Sequence, residues 1–117
     1  MSASAALEQL KEGNRRFVSN LRCVSTIASR ATRESLLAGQ TPFAIVLACS
    51  DSRAPAEIVF DVGLGDLFVI RVAGNVTAPS IIGSVEFAAA KFGTELVVVM
   101  GHTHCGAIEA TLDRIRD

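Results

Sequence analysis

The chain has 117 residues, half of them apolar, and a formal charge of −1 at pH 7. That suits one domain long enough to bury a core and leaves no electrostatic footprint for nucleic acid. Its three cysteines are odd in number and not spaced like a secreted disulfide framework, so a reducing, cytoplasmic setting is expected. The start, Met1-Ser2-Ala3-Ser4-Ala5-Ala6-Leu7-Glu8, has neither a basic stretch nor an apolar h-region, and no apolar run approaches about 18 residues. Neither secretion nor a membrane span is expected.

In chain order, Ser4 is placed to cap a helix from about Ala5 to Val18, with Leu7, Leu10 and Phe17 on its apolar face. Asn20 to Thr26 reads as a linker, and Cys23 within it as a free thiol. Ser29 caps a short helix through Leu37 that stops at Gly39. From Phe43 the texture changes to short, nearly continuous apolar runs, the mark of strands buried on both faces of a parallel sheet. Those runs are Phe43 to Ala48, Leu67 to Val72 and Leu96 to Met100. Between them Pro55 opens a helical turn, and Pro79-Ser80 opens a longer helix to about Phe92, with Gly93 after it. The pattern predicts an α/β fold with a mainly parallel central sheet flanked by helices.

Two clusters of chemistry fall where apolar runs end: Cys49-Ser50-Asp51-Ser52-Arg53 and Gly101-His102-Thr103-His104-Cys105-Gly106. In open α/β sheets ligands gather at the carboxyl ends of strands. If the first and third strands are neighbours, Cys49, His102 and Cys105 can reach one ion. Two thiolates and an imidazole suit zinc far better than calcium or magnesium, and three protein ligands leave a fourth position for water or substrate. Zinc lowers the pKa of bound water towards about 7, so a hydroxide nucleophile becomes available near neutral pH.

Asp51 and Arg53 alternate with Cys49 along an extended segment, which places a carboxylate beside the metal. The Arg53 fork matches a carboxylate and can hold Asp51 ionised and turned away from zinc. Released, Asp51 could become the fourth ligand, and an ordinary structural ion pair is the plainer alternative. His104 adjoins a ligand but points elsewhere, and reads as an exposed or supporting imidazole rather than a zinc ligand. Phe68 and Phe87 read first as core residues, and Gly63-x-Gly65 is too short for a dinucleotide fingerprint.

Cys-Ser-Asp-Ser-Arg, Gly65-Asp66-Leu67-Phe68-Val69-Ile70-Arg71-Val72-Ala73-Gly74-Asn75, Ser84-Val85-Glu86-Phe87 and Gly-His-Thr-His-Cys-Gly-Ala together resemble the β-class carbonic anhydrases. The segment Ala6 to Phe17 is similar to the N-terminal helix of that family. The resemblance implies reversible hydration of carbon dioxide to bicarbonate and a proton. It implies Zn2+ on Cys49, His102 and Cys105, with Asp51 orienting the zinc hydroxide and Arg53 orienting Asp51. It also implies a homodimer or higher homo-oligomer, in which the N-terminal helix packs on a partner subunit and the substrate pocket is shared between subunits. Gln40 matches a glutamine that bonds substrate across that interface, Phe68 and Phe87 match apolar wall positions, and the Gly106 amide matches a group near substrate.

Some bacterial members bind an inhibitory bicarbonate through a Trp, an Arg and a Tyr. This chain has no Trp or Tyr, so with Arg71 alone that regulation is not expected. Family members usually continue past the helix after His-x-x-Cys, so 1–117 is expected to be a single shortened domain, with an N-terminal helical arm over 1–42 and a zinc-binding core over 43–117. The same ligand set would also serve a hydrolase of carbonyl sulfide or carbon disulfide. A non-catalytic zinc-stabilised interaction module is a further alternative.

Overall fold

Every residue of strand β1 (Ala44–Cys49) is buried, because it lies between the other two strands of the sheet. The computed structural model, which describes residues 1–21 and 29–116, places β2 (Leu67–Val72) on one side of β1 and β3 (Val97–Met100) on the other. Both pairings are parallel, so the first and third apolar runs are indeed neighbours. In register, Cys49 stands opposite Val72 and Ala48 opposite Met100. The loop leaving β3 therefore starts beside the end of β1.

Alternation divides the central strand between two cores. Ala44, Val46 and Ala48 pack with Leu67, Ala56, Val62 and Leu10 on one face. Ile45 and Leu47 face the other way, with Ile70 and Ala88, against Phe68, Ile81, Val85 and Phe92. Ala88, Ile81, Val85 and Phe92 belong to α4 (Pro79–Phe92). As predicted, proline opens α4, and Gly93 closes it in a left-handed conformation, φ 63°. Burying each large aliphatic side chain contributes about 1.5–3 kcal/mol.

The third strand departs from the predicted double burial. Val97 and Val99 are 44% and 64% exposed, because β3 is an edge strand and α4 packs on the part of that face formed by β1 and β2. Strand bounds also shift slightly: β1 begins one residue later than predicted and takes in Cys49 as its last residue.

Helix α1 (Ala3–Val18) starts two residues earlier than predicted, since the Ser2 hydroxyl, not Ser4, accepts the capping bond from the Ala5 N–H at 3.2 Å. Its buried stripe is Ala6, Leu10 and Gly13, rotated from the predicted face, with Leu7 and Phe17 partly exposed. Small residues win because the helix approaches closely: a Cβ on Gly13 would lie 1.7 Å from the Phe60 carbonyl oxygen. Asn14 Nδ2 donates to the Val59 carbonyl at 3.0 Å, and Arg16 Nε donates to the buried Asp61 carboxylate at 2.7 Å. These contacts rivet α1 to the end of α3 (Ala56–Val59) in its own chain.

Helix α2 (Arg30–Ser35) is capped by Ser29 as predicted and ends two residues short of Leu37. Helix α5 (Gly106–Arg116) follows the second chemical cluster. Cys23 and the linker beyond Leu21 lie outside the described residues. Among the described residues no helix is long and apolar enough to cross a membrane.

Candidate metal centre

Three donors converge at the carboxyl end of the sheet. Cys49 ends β1, His102 lies just past β3, and Cys105 immediately precedes α5, its carbonyl accepting the Glu109 N–H at 3.0 Å. Their ligand atoms all lie within 4.8 Å of one another, and the two sulfurs are 3.8 Å apart.

The imidazole is set for coordination. His102 Nδ1 lies 2.8 Å from the Thr103 carbonyl, a bond that needs the proton on Nδ1 and leaves the Nε2 lone pair free. Nε2 is buried and has no hydrogen-bond partner among the described residues. A buried nitrogen orphaned beside two thiols fits a metal ligand, since burial without a partner otherwise costs about 1–3 kcal/mol. The thiol of Cys49 is lowered to about 6, chiefly by the His102 imidazole and then by the Asp51 and Gly74 amides, against the opposing effect of burial. In return Cys49 raises His102. Sulfur, sulfur and nitrogen at this spacing are a zinc donor set.

Beside the donors lies the acid–arginine pair. Asp51 Oδ1 accepts from the Arg53 backbone N–H and from Nε, both at 2.9 Å, and Oδ2 accepts from Nη2 at 2.6 Å. This fork, Arg53's side chain first and its backbone amide second, holds the Asp51 carboxyl well below the usual carboxylate range. Asp51 Oδ2 is also 3.8 Å from His102 Nε2. A cleft of about 250 Å³ is lined by Arg53, Ala54, His102, Thr103 and His104.

The structure adds three participants to the site. Arg53 Nη2 also donates to the His104 carbonyl at 2.9 Å, so His104 contributes its backbone. Its φ of 55° turns that carbonyl towards Arg53, a conformation His tolerates better than most residues. The Gly74 N–H donates to Cys49 Sγ at 3.2 Å, presented by a left-handed φ of 74°. Arg71 reaches across from β2 to the carbonyls of Cys49 and Asp51 at 2.9 and 2.7 Å. The one signal in the sequence for it is a lone charge inside the apolar run Leu67–Val72.

The remaining candidates divide. Gly106, the first residue of α5, adjoins Cys105. Phe68 sits near the start of β2, opposite Ile45, four residues and roughly 13 Å of strand from the level of Cys49. It packs with Phe87 and Phe92, ring centroids 6.0 and 5.8 Å away. Gln40 lines a separate groove with Leu36, Leu37, Leu64 and Phe92.

Residues 44–117 match the family described as carbonic anhydrase. The chain belongs to the carbonic anhydrase family. Carbonic anhydrase 2 of Mycobacterium tuberculosis is 48% identical over 113 residues, covering 97% of this chain and 54% of that protein. Among solved structures, the β-carbonic anhydrase CcaA superposes with a TM-score of 0.69 at 30% identity, over 94% of this chain and 54% of that one. The β-carbonic anhydrase CafA of Aspergillus fumigatus gives 0.66 at 32% identity, over 93% and 50%. The α/β fold with its parallel sheet is thus that of the β-carbonic anhydrases. The chain spans about half the length of the relatives it matches.

Proposed function

We propose that this chain carries the zinc half of a carbonic anhydrase site and hydrates carbon dioxide reversibly to bicarbonate and a proton. The observation that carries this reading is the convergence of Cys49, His102 and Cys105 donors beside an Asp51 carboxylate gripped by Arg53. Zinc on those three residues would supply a Lewis acid that makes a hydroxide nucleophile available near neutral pH. Asp51 stays ionised, so its Oδ2, facing the donors, accepts a hydrogen bond from the nucleophile and orients it. Arg53 keeps that carboxylate turned towards itself, which disfavours the non-catalytic reading in which Asp51 closes the metal site. The chain's similarity to carbonic anhydrases at 48% and 30% identity favours carbon dioxide over carbonyl sulfide or carbon disulfide.

Bicarbonate formation also needs an apolar wall and a polar group to receive the substrate. In this reading a second copy supplies both, bringing its Gln40, Phe68 and Phe87 to the metal group of the first, while the Gly106 amide stands beside the substrate from the same chain. The place of Phe68, with Phe87 against it, four strand residues from the level of Cys49, and that of Gln40 in a separate groove, support a shared pocket, and with it a homodimer or larger assembly with α1 at the contact. Thiolate ligands need a reducing compartment, which supports a cytoplasmic location.

The test is stopped-flow carbon dioxide hydration by the purified chain, with zinc content and assembly size measured on the same sample and Cys105→Ser as control. Zinc-dependent hydration absent from Cys105→Ser is the expected result. A folded, zinc-loaded oligomer that does not hydrate carbon dioxide would overturn the activity while leaving the metal site.

A further inference from the structure

The backbone pairing of β1 with β2 runs out just where the metal ligand stands. Its last bond, Ser50 N–H to the Val72 carbonyl at 3.2 Å, is followed by the 3-10 turn Ala73–Asn75, where the strand ends. A side chain takes over from there. Arg71 Nε donates to the Cys49 carbonyl at 2.9 Å and Nη2 to the Asp51 carbonyl at 2.7 Å. A guanidinium is planar, so one fork fixes both carbonyls at once. The segment between them carries the directions of the Cys49 thiol and the Asp51 carboxylate. From the same end of β2 the Gly74 amide grips the Cys49 sulfur itself.

We propose that Arg71 is a positioning residue, whose guanidinium fork across the Cys49 and Asp51 carbonyls sets the metal-ligand thiol and the neighbouring carboxylate at their working separation. It touches neither donor atom nor the cleft, and acts through the backbone. This inference rests on the metal-site part of the proposed function and deepens it. Asp51 is held from two sides, its carboxylate by Arg53 and its carbonyl by Arg71. Loss of the second hold would let the whole residue drift relative to Cys49 even with the acid–arginine pair intact.

The test uses cobalt(II) as a spectroscopic substitute for zinc, titrated into the metal-free full chain against a competing chelator. Arg71→Ala is expected to bind cobalt about 10–100-fold more weakly, to show altered thiolate-to-cobalt absorption when loaded, and to exchange the Arg53 amide faster before loading. Arg71→Lys should fall between, because an ammonium cannot span two carbonyls as a fork. A folded Arg71→Ala chain with wild-type cobalt affinity and spectrum overturns the proposal, as does one that is merely less heat-stable while its loaded spectrum is unchanged. If Arg71→Ala does not fold, a folded Arg71→Lys chain indistinguishable from wild type overturns it equally. A wild-type chain that takes up no cobalt overturns the metal site and this role together. Because no readout uses carbon dioxide, failure of the anhydrase activity would show separately, in a chain that loads cobalt normally.

Discussion

The two ends of the sheet are built in opposite ways. At the carboxyl end, side chains and backbone brace one another: Arg53 joins Asp51 to the His104 carbonyl, Arg71 joins β2 to the end of β1, and the Gly74 amide holds a sulfur. At the amino end Gln40, Leu36, Leu37 and Leu64 border a groove of about 500 Å³, with the Phe68–Phe87–Phe92 cluster close by through Phe92. There Leu37 is 86% and Phe87 53% exposed. Among the described residues, one end has reactive groups in fixed geometry but few apolar walls, and the other has walls without a thiol or imidazole. Each end supplies what the other lacks, the complementarity on which the proposed shared site rests.

The comparison breaks most sharply at the braced end. Cys49→Ser should remove one of the two thiolates and reduce zinc from one per chain to background by elemental analysis. Next in size is a mixing experiment that joins the two ends across chains. Cys105→Ser and Gln40→Ala chains should each be nearly inactive alone, yet recover about a quarter of wild-type hydration when mixed and reassembled as random dimers, since half of each mixed dimer is intact. A mixture no more active than its components would show that the two ends never meet.

Smaller effects sharpen the contrast in packing. Leu10→Ala, emptying a buried position in the core between α1 and the sheet, should cost about 2–5 kcal/mol in urea unfolding, whereas Leu37→Ala in the open groove should stay within about 0.5 kcal/mol. His104→Gly should keep the carbonyl on Arg53, relieve the left-handed φ and raise stability by at most about 1 kcal/mol, with zinc content unchanged. The last expected effect is an absence of change. Carboxyl NMR should find Asp51 still ionised at pH about 4, where an ordinary aspartate is half protonated. A carboxyl depressed by its partner keeps that pairing above the ordinary value and loses it only as pH falls through the lowered one.

Much of this was legible in the residues. Apolar runs ending in Cys-x-Asp-x-Arg and His-x-x-Cys announced the parallel strands and the candidate donors, because ligands at strand ends are a rule of open sheets; the adjacency of the first and third strands was a condition of that reading, which the sheet order meets. What escaped notice was carried by backbone atoms or by geometry without a residue-type signature: the His104 carbonyl, the Gly74 amide and the rotation of α1 onto its small residues. Val97 and Val99 look like core in sequence, and only the extent of α4 cover decides that they are not. The predicted placement of Gln40, Phe68 and Phe87 near substrate came from family likeness alone, and a single chain sets them apart from Cys49.

The central place of β1 has a further consequence for how the protein matures. Cys49 and Cys105 are 56 residues apart in sequence, and they meet only after β1 has been flanked on its far side by β3. An unfolded chain offers no preformed cage, so a metal held by this group would bind the folded chain in preference to the unfolded one. Zinc bound there would draw the folding equilibrium forward by mass action. On the proposed zinc reading, a metal-loaded chain would be one whose strands have found their order.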